Sequence, residues 1–407
     1  MINITNSILA LAISYGGCMM LNKSNPFGNF VYLLTLLTLW VLANTVWVNK
    51  CFIGTIISLN VILSTCVCLS VKTKSLLIFY ILFELSIIPI TLIVFLYGYQ
   101  PEKLQASLAL LLYTVVRRLP LLLFIIFKEL TIFKSAIMTI PVTLSFMVKT
   151  PMYLLHTWLP KAHVEAPVGG SMVLAGVLLK LGSYGLLIFL PYIKLNNIVI
   201  VYLRTSLLGS LLRAIMCLRQ GDIKLIIAYS SVVHISVVSL GFIRGSEIGY
   251  VCGLIMVLSH GLCSPFMFAL AFWLYENSHS RLLMNNNRPW PVIILRLGCL
   301  ITLNIRVPPR LSVWAEVFMT IRTLNLIRSA LPLIISLFFL NALYNLSLYT
   351  GCAHRKFRIA NKTVESANLF PLIQVIFLGY SSICCLDFFH LYFNFIILTP
   401  SSVNTYK

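Results

Sequence analysis

The chain has 407 residues, 59% of them hydrophobic, and a mean hydropathy of +0.96. Only 10% are charged, against about 25% in an average soluble domain, which excludes a water-soluble globular fold. The 30 Lys and Arg against 10 Asp and Glu leave a formal charge of +20, yet no basic patch with interleaved aromatics lies on a soluble segment, so nucleic acid is not an expected partner.

A helix needs about 20 apolar residues to cross roughly 30 Å of hydrocarbon, and runs of that length recur from end to end. In chain order the spans fall at about 4–21, 29–48, 52–71, 76–97, 104–127, 136–158, 167–190, 197–217, 223–243, 248–272, 291–328, 329–350 and 368–395. The expected fold is all-α, a polytopic membrane protein of about thirteen transmembrane helices forming a single membrane domain over 1–407. The first run starts without basic residues and lacks a small-residue cleavage site, so it is expected to stay as a helix. The run 291–328 is too long for one plain helix, and Pro308-Pro309 must interrupt it, because proline lacks the backbone donor and crowds the preceding turn. The short loops divide Lys and Arg too evenly for the positive-inside rule to fix an orientation.

After the N-terminal helices of 1–50, the spans group into a set of five over 51–190 and another over 195–350, followed by a loop and C-terminal helix over 351–407. In both sets the fourth member is interrupted by proline: Pro151 beside Lys149, and Pro308-Pro309 ahead of Glu316. An odd number of helices per set makes the second inverted relative to the first. Inverted repeats with broken helices at matching places point to an ion pathway at mid-membrane, since unwound backbone survives there only where it lines protein or water.

Eleven cysteines offer neither a CxxC pair nor ligand spacing, and in apolar helices cysteine behaves as a small hydrophobe. No dinucleotide, phosphate-loop or haem-attachment signature is present, so no redox chemistry and no cofactor is expected within this chain. Most acidic residues read as loop or span-end groups: Glu102, Glu129, Glu165, Asp222, Glu247, Glu276 and Glu365 lie beside Lys, Arg, Gly, Pro or Asn, and Asp387 among aromatics reads as interfacial. Two remain for the membrane interior, Glu84 in LLIFYILFELSIIPITL and Glu316 in VPPRLSVWAEVFM.

The stretch 149–180, KTPMYLLHTWLPKAHVEAPVGGSMVLAGVLLK, places a lysine at each end of two apolar runs. A charged group at bilayer depth costs about 2.5–3.5 kcal/mol on insertion scales, so Lys149 and Lys180 need a reason to be there. Desolvation moves carboxylates and ammonium groups toward neutrality, where a proton is gained or lost cheaply, and lysine, unlike arginine, can give its proton up. Glu84, Lys149, Lys180 and Glu316 are therefore the candidate members of a proton relay. Structural ion pairs, each glutamate with one lysine, are the alternative. His156, His163, His234 and His260 lie in or at the ends of apolar spans, where imidazole can both donate and accept, and they form a candidate secondary layer beside the reading of hydrogen-bonded structure. Without acidic or cysteine ligands at suitable spacing, no metal site is expected.

The run MVKTPMYLLHTWLPKAHVEAPVGGSMVLAGVLLKLGSYGLL, together with FELSIIPITL, YGYQPEKLQA, CLRQGDIKLIIAYSSVVH and SHGLCSPFMF, closely resembles subunit 4 of mitochondrial NADH dehydrogenase (ubiquinone), an antiporter-like subunit family of respiratory complex I. The resemblance covers about residues 75–350. It implies that the family's buried glutamate falls on Glu84, its broken-helix lysine on Lys149, its second relay lysine on Lys180, its histidines on His156, His163, His234 and His260, and its distal glutamate on Glu316. It implies a proton-translocating subunit of the multi-pass kind in the inner mitochondrial membrane, coupled to quinone reduction elsewhere in the complex. NADH, FMN, Fe–S clusters and ubiquinone are then bound by other subunits, and the partners are neighbouring membrane-arm subunits, other antiporter-like ones included, with membrane lipids. Relative to the family's usual fourteen or so helices, the chain is expected to lack one at the N-terminal side. A stand-alone cation/proton antiporter subunit of the Mrp type, or a non-conducting structural membrane subunit, are the competing readings.

Arg117, Arg118, Arg204, Arg213, Arg296, Arg306, Arg322 and Arg328 also fall inside predicted spans, and Arg117-Arg118 stand where the family places small residues before LPLL. Guanidiniums cannot shed their charge, and there are too few acids to pair them. They either face partner subunits or stand at AGA and AGG codons, which many invertebrate mitochondria read as serine. The cluster Arg355, Lys356, Arg358 and Lys362 either touches anionic lipid headgroups or solvates a loop.

Overall fold

The computed structural model describes residues 26–48, 53–129, 139–150, 155–192, 197–243, 247–286, 291–305, 311–326 and 330–353. The predicted spans 4–21 and 368–395, with Glu365, Asp387 and the 355–362 basic cluster, lie outside the described residues, as do Pro151 and Pro308-Pro309. The described residues are helical almost throughout. In chain order they form α1 (Pro26–Val48), α2 (Ile53–Lys72), α3 (Leu76–Leu85), α4 (Ile87–Tyr97), α5 (Lys103–Val116), α6 (Leu119–Glu129), α7 (Thr139–Lys149), α8 (Trp158–Glu165), α9 (Val168–Val173), α10 (Leu179–Phe189), α11 (Asn197–Arg219), α12 (Ile223–Ile243), α13 (Glu247–Ser278), α14 (Pro291–Ile305), α15 (Leu311–Leu326) and α16 (Leu331–Ala353).

Eight continuous stretches among the described residues are long and apolar enough to cross a membrane. They differ in what surrounds them. Val168–Phe189 and Gly249–Ser278 are buried along nearly their whole length, whereas Gly54–Lys72, Lys103–Ile126 and Leu331–Ala353 show most of theirs to the outside. Helices apolar all round are stable in both places, against protein in the centre and against lipid at the edge. The outward Leu39, Ile62, Leu112, Val201 and Phe339 are the apolar side chains that lipid or a neighbouring subunit would cover.

The central pair cross where α13 carries Pro265 within its helix. Between α9 and α10 the backbone widens into a π-turn over Leu174–Leu178, one turn ahead of Lys180. Such bulges shift the helical register and free a carbonyl for another donor. In the C-terminal half, α11 packs along α12 and α16, α12 on α13, and α13 on α15.

The predicted interruption beside Lys149 is present among the described residues, and the one at Pro308-Pro309 falls on residues 306–310, outside them. α7 stops at Lys149 and helix resumes at Trp158 in α8, so the span predicted at 136–158 runs on to Glu165. The joint is held from both sides: Thr150 Oγ1 donates to Phe146 O at 2.7 Å, and the Trp158 indole N–H donates to Val148 O at 3.0 Å, capping a carbonyl left over at the end of α7. On either side of residues 306–310 the described helices are α14, to Ile305, and α15, from Leu311. Span ends moved by a few residues elsewhere, the largest being α13, which continues to Ser278 and carries Glu276 on its last turns instead of in a loop.

Candidate functional site: a row of buried ionisable groups

Near the first break, Glu84 projects from α3, Arg118 from the turn between α5 and α6, and Lys149 from the last residue of α7. Arg118 Nη1 lies 3.1 Å from Glu84 Oε1, and its Nε donates to Thr114 O at 2.7 Å. Lys149 Nζ sits 3.3 Å from the centre of the Phe83 ring, and the Arg118 guanidinium carbon 4.9 Å from the same ring. Glu84 and Arg118 are the charges that act on Lys149. Cation–π contact partly replaces the water that a buried ammonium loses. The Glu84 side chain is 21% exposed at the outer face of the chain, while Lys149 and Arg118 are enclosed.

Lys149 reaches this depth because α10 offers a glycine there. A Cβ on Gly182 would lie 2.9 Å from Lys149 Cβ, so only a residue without one lets the two helices approach this closely. Lys180, two residues earlier on the same helix, belongs to the second group. Its Nζ donates to Ala175 O in the π-turn at 2.5 Å and lies 2.8 Å from His260 Nδ1 on α13. The imidazoles of His260 and His234, the latter on α12, have centroids 5.4 Å apart, and His234 Nδ1 is 3.8 Å from Glu316 Oε1 on α15. All four are buried. The row thus runs Lys180, His260, His234, Glu316, with Lys149 and Glu84 on the far side of α10.

Two of the predicted histidines stand apart from it. His156 Nδ1 is 3.0 Å from Arg213 Nη2, and both line a cavity of about 460 Å³ with Glu102, Lys161, Glu165 and Tyr229, at the end of the molecule where α5, α8 and α12 meet. His163 is fully buried and stacks on Phe268 of α13, ring centroids 4.5 Å apart and planes 8° off parallel. Among the described residues neither of its nitrogens has a hydrogen-bond partner.

Several groups escaped the sequence reading. Glu165, assigned to a loop by its neighbour Pro167, is buried at 3% exposure at the end of α8. Lys224, the second residue of α12, is also buried; it donates to Ala166 O at 3.2 Å and interacts electrostatically with Glu165. The predicted arginines differ in their surroundings. Arg118 and Arg213 are buried with partners, Arg117 lies against the Tyr113 ring at 5.1 Å, and Arg204 is exposed. The side chains of Arg296, Arg306, Arg322 and Arg328 lie outside the described residues.

A bundle of long apolar helices, one of them broken beside a buried lysine, with a file of buried lysine, histidine and glutamate among its described residues, defines an antiporter-like membrane subunit. The family model for NADH:quinone oxidoreductase/Mrp antiporter transmembrane proteins matches residues 73–343. The chain is 38% identical to NADH-ubiquinone oxidoreductase chain 4 of Albinaria caerulea over 81% of this chain and 79% of that one, and 32% identical to the protein of the same name from Lumbricus terrestris over 85% of each. Its fold matches a chain of respiratory complex I from Thermus thermophilus with a TM-score of 0.75 at 19% identity, covering 95% of this chain and 99% of that one. It also matches a chain of the membrane-bound sulfane sulfur reductase, an archaeal respiratory membrane complex, with a TM-score of 0.76 at 15% identity, covering 96% of each. The chain belongs to the NADH-ubiquinone oxidoreductase chain 4 family.

Proposed function

We propose that this chain is a core membrane-arm subunit of respiratory complex I in the inner mitochondrial membrane, and that it carries protons across that membrane while other subunits oxidise NADH and reduce quinone. In this reading Glu84, Lys149, Lys180 and Glu316 are the main proton carriers, and His260 and His234 bridge Lys180 to Glu316. The contact that supports it best is the 2.8 Å approach of Lys180 Nζ to His260 Nδ1, an ammonium donor facing an imidazole acceptor with no water needed between them. A proton leaving Lys180 enters His260, and the next acceptors along the row are His234 and the Glu316 carboxylate. Glu84 stabilises a proton on Lys149 when it is turned toward that ammonium. His156, at the 460 Å³ cavity, is placed to exchange protons with the aqueous side, and His163 joins as a secondary carrier if water reaches its nitrogens. The other subunits supply the NADH, FMN, Fe–S and quinone chemistry, and the outward apolar faces meet lipids and neighbouring antiporter-like subunits.

The experiment is Lys149→Met and Glu316→Gln, separately, in the assembled complex reconstituted into vesicles. Fewer protons moved per NADH oxidised, with assembly intact, is the expected result. Unchanged proton movement in both variants would instead assign the chain a purely structural role, and proton or sodium exchange by the isolated chain would favour the stand-alone antiporter.

A further inference from the structure

A buried ammonium needs acceptors for its N–H groups, yet among the described residues Lys149 Nζ has no hydrogen-bond partner, and the residue is only 4% exposed. What it meets is the face of Phe83, with Nζ 3.3 Å from the ring centroid. Glu84, the next residue on α3, is turned to Arg118, whose Nη1 lies 3.1 Å from its Oε1. A lysine stem packed on an aromatic ring would lay its methylenes on the face and carry the nitrogen past the edge. Here the nitrogen itself stands over the centre, the geometry in which the ring quadrupole attracts a cation.

The ring is held by packing. Phe83 is fully buried; Phe79, one turn earlier on α3, has its centroid 5.4 Å away, and Phe146 on α7 meets it at 6.0 Å with the planes 67° apart. Phe146 stands three residues before Lys149, so α7 presents an aromatic ring and the lysine on one side. Two glycines of α10 receive that side. Gly182 receives Lys149, since a Cβ there would fall 2.9 Å from Lys149 Cβ, and Gly185 receives Phe146, whose ring would collide with a Cβ at that position. These glycines are also three apart, so one groove of α10 takes both residues.

We infer that Phe83 is a positioning residue for Lys149, its ring face being the seat on which the ammonium rests while Glu84 is engaged elsewhere. A carboxylate in that place would itself take the proton. A benzene ring attracts the cation but has no basic site, so it holds the charged lysine without becoming an endpoint of transfer. When desolvated, such a contact favours the seated ammonium by roughly a factor of ten or more.

The seat is read from geometry, and its consequence for pumping rests on the proton-carrying function proposed above, so its test has two arms. The first is a map of the intact complex. Lys149 Nζ is expected over the ring in the unaltered complex and in Phe83→Tyr, which keeps the face, and displaced in Phe83→Leu, which keeps apolar bulk without the quadrupole. Nζ away from the ring in the unaltered complex, or unmoved in Phe83→Leu, overturns the inference whatever the vesicles report. The second arm is protons moved per NADH oxidised in vesicles. Phe83→Leu is expected to fall toward the Lys149→Met value, and Phe83→Tyr to recover most of the loss. Phe83→Leu/Lys149→Met should go no lower than Lys149→Met alone, because the ring acts only through the ammonium. Equal losses in the leucine and tyrosine variants, a further fall in the double variant, or full proton movement in Phe83→Leu beside a loss in Lys149→Met each overturns the inference. Normal movement in Lys149→Met, with the ammonium on the ring in the unaltered map, would remove the pumping role of the lysine and leave the seat in place.

Discussion

Arg118 Nη1 lies 3.1 Å from Glu84 Oε1, and Lys149, whose ammonium rests on the adjoining Phe83 ring, is acted on by both. One partly exposed carboxylate therefore stands beside two enclosed cations. A buried charge without its own counter-charge costs several kcal/mol, and neither Nη of Arg118 makes a hydrogen bond among the described residues. A guanidinium also never releases its proton, so it would hold Glu84 permanently away from Lys149. A serine at this position resolves the excess, leaving Glu84 to Lys149 alone. Sequencing of peptides from the mature chain is expected to find serine at position 118. Arginine there, or a CGN codon, would make Arg118 a genuine fixed counter-cation and end the codon explanation.

His260→Leu removes the acceptor for Lys180 while keeping an apolar side chain of similar bulk. A hydrogen bond to a charged group contributes about 1.5–3 kcal/mol, and each 1.4 kcal/mol is a factor of ten, so proton transfer along the row should slow by roughly tenfold or more. Proton uptake by reconstituted vesicles falls accordingly, with NADH oxidation by the uncoupled complex largely retained. Parallel losses of both activities together with poor assembly would mark His260 as a structural residue.

How far the sequence alone carried this picture depends on the range of the interaction. The break after Lys149 was legible from local chemistry, because a proline in an apolar run leaves few alternatives. Lys149, Lys180 and Glu316 were legible as buried from length and hydropathy alone. What failed was the local rule applied to polar punctuation: Glu165 in HVEAP reads as a loop residue, yet α8 is a half-helix folded inside the bundle, and the charge is enclosed with Lys224 nearby. Lys224 was overlooked for the same reason, standing at a span edge that turns out to be covered by protein. Pairings such as Arg118 with Glu84, Arg213 with His156 and the ring stack of His163 on Phe268 join residues far apart in the chain, and no spacing announces them.

Gly182→Val tests the close packing that brings Lys149 to the row. A Cβ at this position meets Lys149 Cβ at 2.9 Å and Thr150 Cγ2 at 3.2 Å, atoms near the helix backbone that have little freedom to move. Overpacking of this kind costs about 1–3 kcal/mol and displaces the end of α7. The amount of assembled complex and its thermal midpoint are expected to fall, and what assembles should move fewer protons per NADH. Wild-type values for both would mean that α7 and α10 are not in contact at Lys149.

Trp158→Phe probes the joint between the two halves of the broken helix. The ring volume is largely kept, and what disappears is the indole N–H that donates to Val148 O at 3.0 Å, the carbonyl immediately before Lys149. Losing the donor leaves a buried acceptor unsatisfied, at about 1–3 kcal/mol, with the strain concentrated where the lysine leaves the helix. Phenylalanine should therefore lower the thermal midpoint of the complex modestly and lower proton movement more than it lowers NADH oxidation, because Lys149 loses its fixed position while the distant redox centres are untouched. Histidine at the same position keeps a ring N–H and is expected to recover part of the coupling. An unchanged ratio of protons moved to NADH oxidised in Trp158→Phe would mean that the cap stabilises the break without positioning the lysine.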